Sequence, residues 1–276
     1  MRLLRTERDG TPGCAALDER GSLRDVSAIW PPAAPVPNAA ILSALRAADL
    51  TALPVVADAR IDACAGAGGK IICVGLNYSD HAAELGVDLP AEPMLFLKPG
   101  STAAGPDDPL VIPRGFDAVD WEAELGIVIG ETARDVPQDA ARRYVAGYCV
   151  VNDVTDRRWG DRDPGQWMKG KSADGFTSIG PWLVTPDAVA DPHDLKVTTI
   201  LNGERCQSGH TGAMKFGVDA LVSYVSRFTT LRPGDVISSG TPAGVGKSRK
   251  PPRFLAPGDR IEVEIDGLGR QVRLVA

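Results

Sequence analysis

Asp120-Trp121-Glu122-Ala123-Glu124-Leu125-Gly126-Ile127-Val128-Ile129-Gly130 alternates at first and then turns continuously apolar. Side chains on a strand point to opposite faces in turn. Glu122 and Glu124 therefore share one face, and Trp121, Ala123, Leu125 and Ile127 share the other. Two carboxylates on a strand that runs into an apolar core are costly if buried unpaired, and their mutual repulsion adds to the cost. A hard divalent cation (Mg²⁺, Mn²⁺ or Ca²⁺) resolves both problems with oxygen ligands alone. An exposed sheet face, or ion pairs with Arg or Lys, resolves them as well.

Working outward, Val150-Val151-Asn152-Asp153 ends an apolar strand with a third carboxylate. If its strand lies beside the one holding Glu122 and Glu124, Asp153 can complete a three-carboxylate site, which leaves about three of six octahedral positions for water or substrate. Arg157 and Lys171 can bind an anionic substrate alongside the metal; ordinary surface charge is the alternative. In Asn77-Tyr78-Ser79-Asp80-His81-Ala82-Ala83-Glu84, a helix makes His81 and Glu84 neighbours at i,i+3. A carboxylate beside an imidazole fixes its tautomer and raises its basicity, which suits a general base for water. An exposed His–Glu pair is the plainer reading of that spacing. Lys98-Pro99 closes another strand, and Ser239-Gly240-Thr241-Pro242-Ala243-Gly244-Val245-Gly246 is a Gly-rich turn after a strand. That turn offers backbone N–H groups and a hydroxyl to a carboxylate. It lacks the GK[ST] ending of a phosphate-binding loop. The basic run Lys247–Arg253 reads as a solvated loop, and His193 and His210 have no partner spacing.

The remainder of the chain sets the class. Its 276 residues are 43% hydrophobic and 24% charged, as in soluble globular proteins. Thirty Lys and Arg against 36 Asp and Glu leave a net charge of −6, with no broad basic surface for nucleic acid. No apolar run approaches the roughly 18–20 residues that span a bilayer. Met1–Arg8 carries charge where a signal peptide has its apolar core, so a cytoplasmic location away from any membrane is expected. Five scattered cysteines without a CxxC pair point to reduced, buried thiols, and three histidines leave only oxygen ligands for a metal.

Residues 1–66 form a small N-terminal α+β domain: strands over Met1–Thr6, Gly13–Leu17 and Ser22–Val26, then a helix over Ala39–Ala48 capped by Asn38. Cys64–Gly69 reads as a linker or surface loop. Residues 67–276 carry strands at Lys70–Val74, Met94–Leu97, Trp121–Gly130, Tyr144–Val151, Lys196–Leu201, Asp235–Ser238, Arg260–Ile265 and Gln271–Val275. Helices are expected at Tyr78–Glu84, Pro137–Tyr144 and Lys215–Phe228. Without βαβ alternation the class is a β-rich α+β fold.

Taken together and in order, these segments resemble the fumarylacetoacetate hydrolase family in its shorter branch, which includes acylpyruvate hydrolases and 2-hydroxyhepta-2,4-diene-1,7-dioate isomerases. Gly170-Lys171-Ser172, Gly180-Pro181-Trp182, Leu201-Asn202-Gly203 and Pro233-Gly234-Asp235 add to the match, which runs from about residue 70 to the C-terminus. The resemblance implies a mixed β-sandwich roll, a homodimer, and one Mg²⁺ or Mn²⁺ per subunit on Glu122, Glu124 and Asp153. It also implies a catalytic His81–Glu84 dyad with Lys171, and substrate contacts from Arg157, Lys171, Thr241 and Lys98. The implied activity is metal-dependent hydrolysis of a C–C bond in a 2,4-dioxo acid, an acylpyruvate or diketo-deoxy sugar acid, through a metal-bound pyruvate enolate. Isomerase, hydratase or oxaloacetate-type decarboxylase chemistry uses the same enolate. A catalytically silent metal- or carboxylate-binding protein is the alternative of another class. The sequence departs from the family pattern at Arg158, where aspartate is usual, at Gly160, where glutamine is usual, and at Ser178, where proline is frequent.

Overall fold

The computed structural model describes residues 1–161 and 166–276. In chain order the strands are β1 (Arg2–Arg8), β2 (Thr11–Leu17), β3 (Leu23–Asp25), β4 (Arg60–Asp62), β5 (Ile71–Gly75), β6 (Met94–Lys98), β7 (Ala103–Ala104), β8 (Val119–Asp120), β9 (Ala123–Ile129), β10 (Val145–Asp153), β11 (Thr155–Asp156), β12 (Thr177–Val184), β13 (Lys196–Leu201), β14 (Glu204–His210), β15 (Val236–Ser238), β16 (Arg260–Ile265) and β17 (Gly269–Leu274). The α-helices are α1 (Ala39–Ala47), α2 (Ser79–Leu85), α3 (Arg157–Gly160), α4 (Trp167–Lys171) and α5 (Val218–Phe228). An eleven-stranded mixed sheet runs β3-β2-β1-β12-β10-β9-β15-β5-β6, with β4 on β1 and β7 on β12. A four-stranded antiparallel sheet runs β14-β13-β16-β17. This is the β-rich α+β architecture that the sequence led us to expect. Among the described residues no helix is long and apolar enough to cross a membrane.

The continuous apolar character of β9 and β10 has a simple cause: both faces of the main sheet are covered. Leu125 and Ile127 of β9 and Tyr148 and Val150 of β10 pack with Val197, Ile261 and Val263 of the small sheet and with Leu221, Val222 and Val225 of α5. Val128, Cys149 and Val151 face the other way, onto Leu3, Cys14, Trp30, Val36 and Leu45 from the N-terminal segment. Residues 1–66 and 67–276 share this sheet through the β1–β12 pair. Cys64, expected in a linker or surface loop, is instead fully buried, and its N–H donates to the Ile179 carbonyl. All five cysteines are free thiols.

Besides short strands of two or three residues, two longer ones escaped the pattern reading. β12 contains Ser178, Gly180 and Pro181, residues that argue against a central strand. It is accommodated because its pairing with β10 shifts register between Tyr148 and Val150. β14 (Glu204–His210) is largely polar because it is the edge of its sheet. The Pro137–Tyr144 segment is a 3₁₀-helix over Gln138–Tyr144 rather than an α-helix.

Buried Gln271 on β17 compensates for the irregular β10–β12 pairing. Its Nε2 amide donates to the carbonyls of Val150 (2.9 Å), Gly180 (3.1 Å) and Ser178 (3.2 Å). Its Oε1 accepts from Ser178 Oγ at 2.6 Å, which gives the departure at Ser178 a structural partner. Gln271→Ala removes these donors, at roughly 1–3 kcal/mol for each group thereby left unsatisfied. We expect a melting temperature several degrees lower by calorimetry; an unchanged value would show that the bonds are dispensable.

Candidate active site

The period-two rule brings the site together on one face of the main sheet. Glu124 shares the face of Gly126 and Val128 on β9, and Asp153 that of Cys149 and Val151 on β10. Glu124 is the cross-strand partner of Val151, and the Asp153 N–H donates to the Glu122 carbonyl at 2.9 Å. Glu122 lies between β8 and β9, its N–H held by Asn152 Oδ1 at 3.0 Å. All three carboxylates are buried, with ligand oxygens within 4.8 Å of one another.

Cations surround two of the three. Arg157 Nη1 is 2.6 Å from Glu122 Oε1, and Lys171 Nζ is 2.6 Å from Glu122 Oε2 and 2.7 Å from Asp153 Oδ2. Lys98 Nζ is 2.5 Å from Asp153 Oδ1. Burial pushes the Glu122 carboxyl up, but Lys171 and Arg157 overcome it and hold the group down at about 2. Burial likewise favours a neutral Lys171, but Asp153 and Glu122 override it and raise its pKa. Glu124 differs. It accepts from Ser238 Oγ (2.5 Å) and the Gly240 N–H (2.9 Å), and no ion pair reaches it among the described residues. Burial, then Asp153 and Glu122, push its carboxyl up to about 8. The ion-pair alternative is therefore realised for Glu122 and Asp153 and leaves Glu124 uncompensated. Three convergent carboxylates with one uncompensated charge fit a hard divalent cation such as Mg²⁺ or Mn²⁺.

The dyad forms on α2. Gly86, at φ +68°, ends that helix in the left-handed conformation. His81 Nδ1 is 3.1 Å from Glu84 Oε2, and Glu84 Oε1 accepts the Gly244 N–H at 2.9 Å. His81, Glu122, Glu124, Asp153, Arg157, Lys171 and Thr241 all line one cavity of about 170 Å³. Lys171 is brought in by the close approach of α4 to α3, where a Cβ on Gly170 would stand 2.3 Å from the Asp156 carbonyl.

Several expected contacts take a different form. Lys98 is fully buried behind the trio, and its ammonium is spent on Asp153 and on the carbonyls of Val154 and Phe176. It is placed to position Asp153 rather than to touch a substrate. Thr241 reaches the cavity, but its hydroxyl donates to the Ala123 carbonyl (2.9 Å) and accepts from Gln207 Nε2 (2.9 Å). The N–H groups of the Gly-rich turn bind the chain's own carboxylates: Gly240 on Glu124, Gly244 on Glu84, and Gly246 and Lys247 on Asp120. Lys247, read as part of a solvated run, lines the cavity and pairs with Asp161 at 2.5 Å. Gly160 lines the cavity as well, and Arg158 pairs with Asp117 outside it.

Sequence reasoning passed over Asp120, Ser238 and Asn77. Asp120 Oδ2 accepts from Arg157 Nε at 2.8 Å. Asn77 Nδ2 donates to the Ser239 carbonyl at 2.8 Å, fixing the start of the Gly-rich turn. A polar residue inside a recognised motif was the available signal for Asp120 and Asn77. Ser238 had none, because its role depends on β15 lying beside β9.

The family model described as fumarylacetoacetate (FAA) hydrolase C-terminal matches residues 70–276. A "putative hydrolase" from Burkholderia ambifaria (strain MC40-6) is 49% identical, over 99% of this chain and 98% of that protein. The structure of a fumarylacetoacetate hydrolase from psychrophilic Exiguobacterium antarcticum is 37% identical with a TM-score of 0.85, covering 100% of this chain and 99% of that one. The structure of a 2-hydroxyhepta-2,4-diene-1,7-dioate isomerase from Mycobacterium marinum is 33% identical with a TM-score of 0.79, covering 100% and 98%.

Removing one carboxylate of the trio should weaken divalent binding at least as much as losing a supporting group, about 10–100-fold. Glu124→Gln is expected to weaken Mn²⁺ binding about 100-fold or more by calorimetric titration, and an unchanged titration removes the metal assignment. The same variant carries a pH signature. A carboxyl raised to about 8 binds its proton more tightly folded than unfolded, so stability falls as pH rises from about 4.3 through that value. In EDTA the parent chain should lose melting temperature between about pH 5 and 8, and Glu124→Gln should lose less.

Proposed function

Because this chain belongs to the fumarylacetoacetate hydrolase family, we propose that it is a divalent-metal-dependent hydrolase that cleaves the C3–C4 bond of a 2,4-dioxo acid, of the acylpyruvate or diketo-deoxy sugar acid type. One observation carries the reading: His81, paired with Glu84 and so suited to water activation, lines the same cavity as the carboxylate trio. A divalent ion held by Glu122, Glu124 and Asp153 would supply Lewis acidity and an electron sink for the 2-oxo oxygen.

The chain's own groups do the rest. Glu84 against Nδ1 keeps the proton on that nitrogen and leaves Nε2 of His81 to accept one from water. The water oxygen adds to C4. Lys171 and Arg157, whose Nη2 is buried without a hydrogen-bond partner, are the cations available to the oxyanion at C4. Collapse breaks the C3–C4 bond and leaves the electron pair on C3, the C4 fragment departs as a carboxylic acid, and the proton taken by His81 returns to C3. One water is consumed, and one carboxylic acid and one pyruvate are released. Isomerase or decarboxylase chemistry is the second reading. Gly160 supports it, because it gives the cavity wall no side-chain amide to hold a water.

Acetylpyruvate and oxaloacetate, assayed with Mg²⁺ or Mn²⁺ and with EDTA, test this. We expect metal-dependent release of pyruvate and acetate from acetylpyruvate, abolished by EDTA. His81→Ala should lower it about 10²–10⁴-fold, with the divalent titration unchanged and some oxaloacetate decarboxylation retained. Equal cleavage by variant and parent rejects the dyad.

A further inference from the structure

The cavity of the acidic trio has two unlike walls. Beside the charged groups, the lining includes Val74, Leu76, Leu85, Phe96 and Trp167. At about 170 Å³ the space is well under the roughly 300–1,000 Å³ typical of sites for drug-sized ligands. Phe96 is where the walls meet. Its ring centroid is 5.1 Å from the Lys171 ammonium, and it stands edge-on to Trp167, centroids 5.3 Å apart at 85°. The Trp167 indole rests on bare backbone: a Cβ on Gly75 would lie 2.7 Å from its ring. A second depression is lined by Met94, Phe96, Gln166, Trp167 and Met168, the last 59% exposed. Phe96 and Trp167 line both spaces, so the two rings form the partition between them.

We infer that Trp167 is a specificity-determining residue that limits the length of the substrate's acyl group. This rests on the dioxo-acid reading above. The acyl end of the substrate must extend away from the charged groups that act on its other carbons. The apolar side chains of the lining, Val74, Leu76, Leu85, Phe96 and Trp167, favour an apolar tail. The indole ends the space after a short tail, and beyond it lies apolar surface that a longer chain would occupy if the ring were gone. Gly75 is the positioning residue that lets the indole sit so close to β5.

The test compares kcat/KM for acetylpyruvate and hexanoylpyruvate, followed by pyruvate release, on the full Mg²⁺-loaded chain and on Trp167→Ala. One surplus methylene in an apolar pocket is worth about 10–200-fold in discrimination. The parent should therefore favour acetylpyruvate by at least about tenfold. In the variant the hexanoyl-to-acetyl ratio should rise about tenfold or more, mainly through KM. Calorimetric binding of pyruvate, which has no tail, should be the same in both proteins. Trp167→Leu keeps an apolar partner for Phe96 and gives the same comparison if circular dichroism shows the alanine variant unfolded. Cleavage of acetylpyruvate with no parental preference, or with the ratio unmoved in the variants, overturns the partition and leaves the hydrolase reading standing. A parent chain that cleaves neither acid overturns both.

Discussion

Three carboxylates buried at the ends of neighbouring strands must be neutralised, and the local structure is arranged around that requirement. The mutual attraction of buried charges repays their desolvation only when geometry is good and the remaining lone pairs are satisfied. Here Glu122 and Asp153 have every oxygen matched to a cation, from Arg157, Lys171 and Lys98. Glu124 has hydrogen bonds but no counter-charge. The asymmetry leaves Glu124 as the one carboxylate of the trio without a counter-charge.

The Gly-rich turn couples this trio to the dyad. Its N–H groups reach Glu124, Glu84 and Asp120 from one stretch of backbone. Asp120 in turn orients Arg157, which reaches Glu122. The distance between His81 and the carboxylate trio is thus set by a short, hydrogen-bonded segment rather than by α2 alone. Such support from groups behind the reacting ones is what holds a site to the tolerance that catalysis needs. It also explains why so much polar backbone in this turn is tolerated inside a buried region.

The main sheet supplies the rigid frame. Its central strands are buried on both faces, so the acidic ends of β9 and β10 emerge from a packed core. Gln271 repairs the one place where β10 and β12 fall out of register, with donors from the second sheet. The aromatic wall comes from a different quarter. Phe96 belongs to the edge strand β6 and Trp167 to α4; the two rings meet edge-on, and the indole rests against Gly75.

The sequence by itself determined the elements whose cause is local. Period-two alternation put Glu122 and Glu124 on one side of a strand, the apolar run to Val151 put Asp153 at a strand end, and the i,i+3 spacing put Glu84 beside His81. Each follows from backbone geometry that a few consecutive residues enforce. Only the tertiary structure decided which partners those groups met. β12 is a central strand despite Gly180 and Pro181, because neighbours and Gln271 satisfy what its own residues cannot. Lys98 and the Gly-rich turn became supports for the chain's own carboxylates, and Lys247 entered the cavity. Those outcomes depend on which residues far apart in the chain are packed together, and no local period records that.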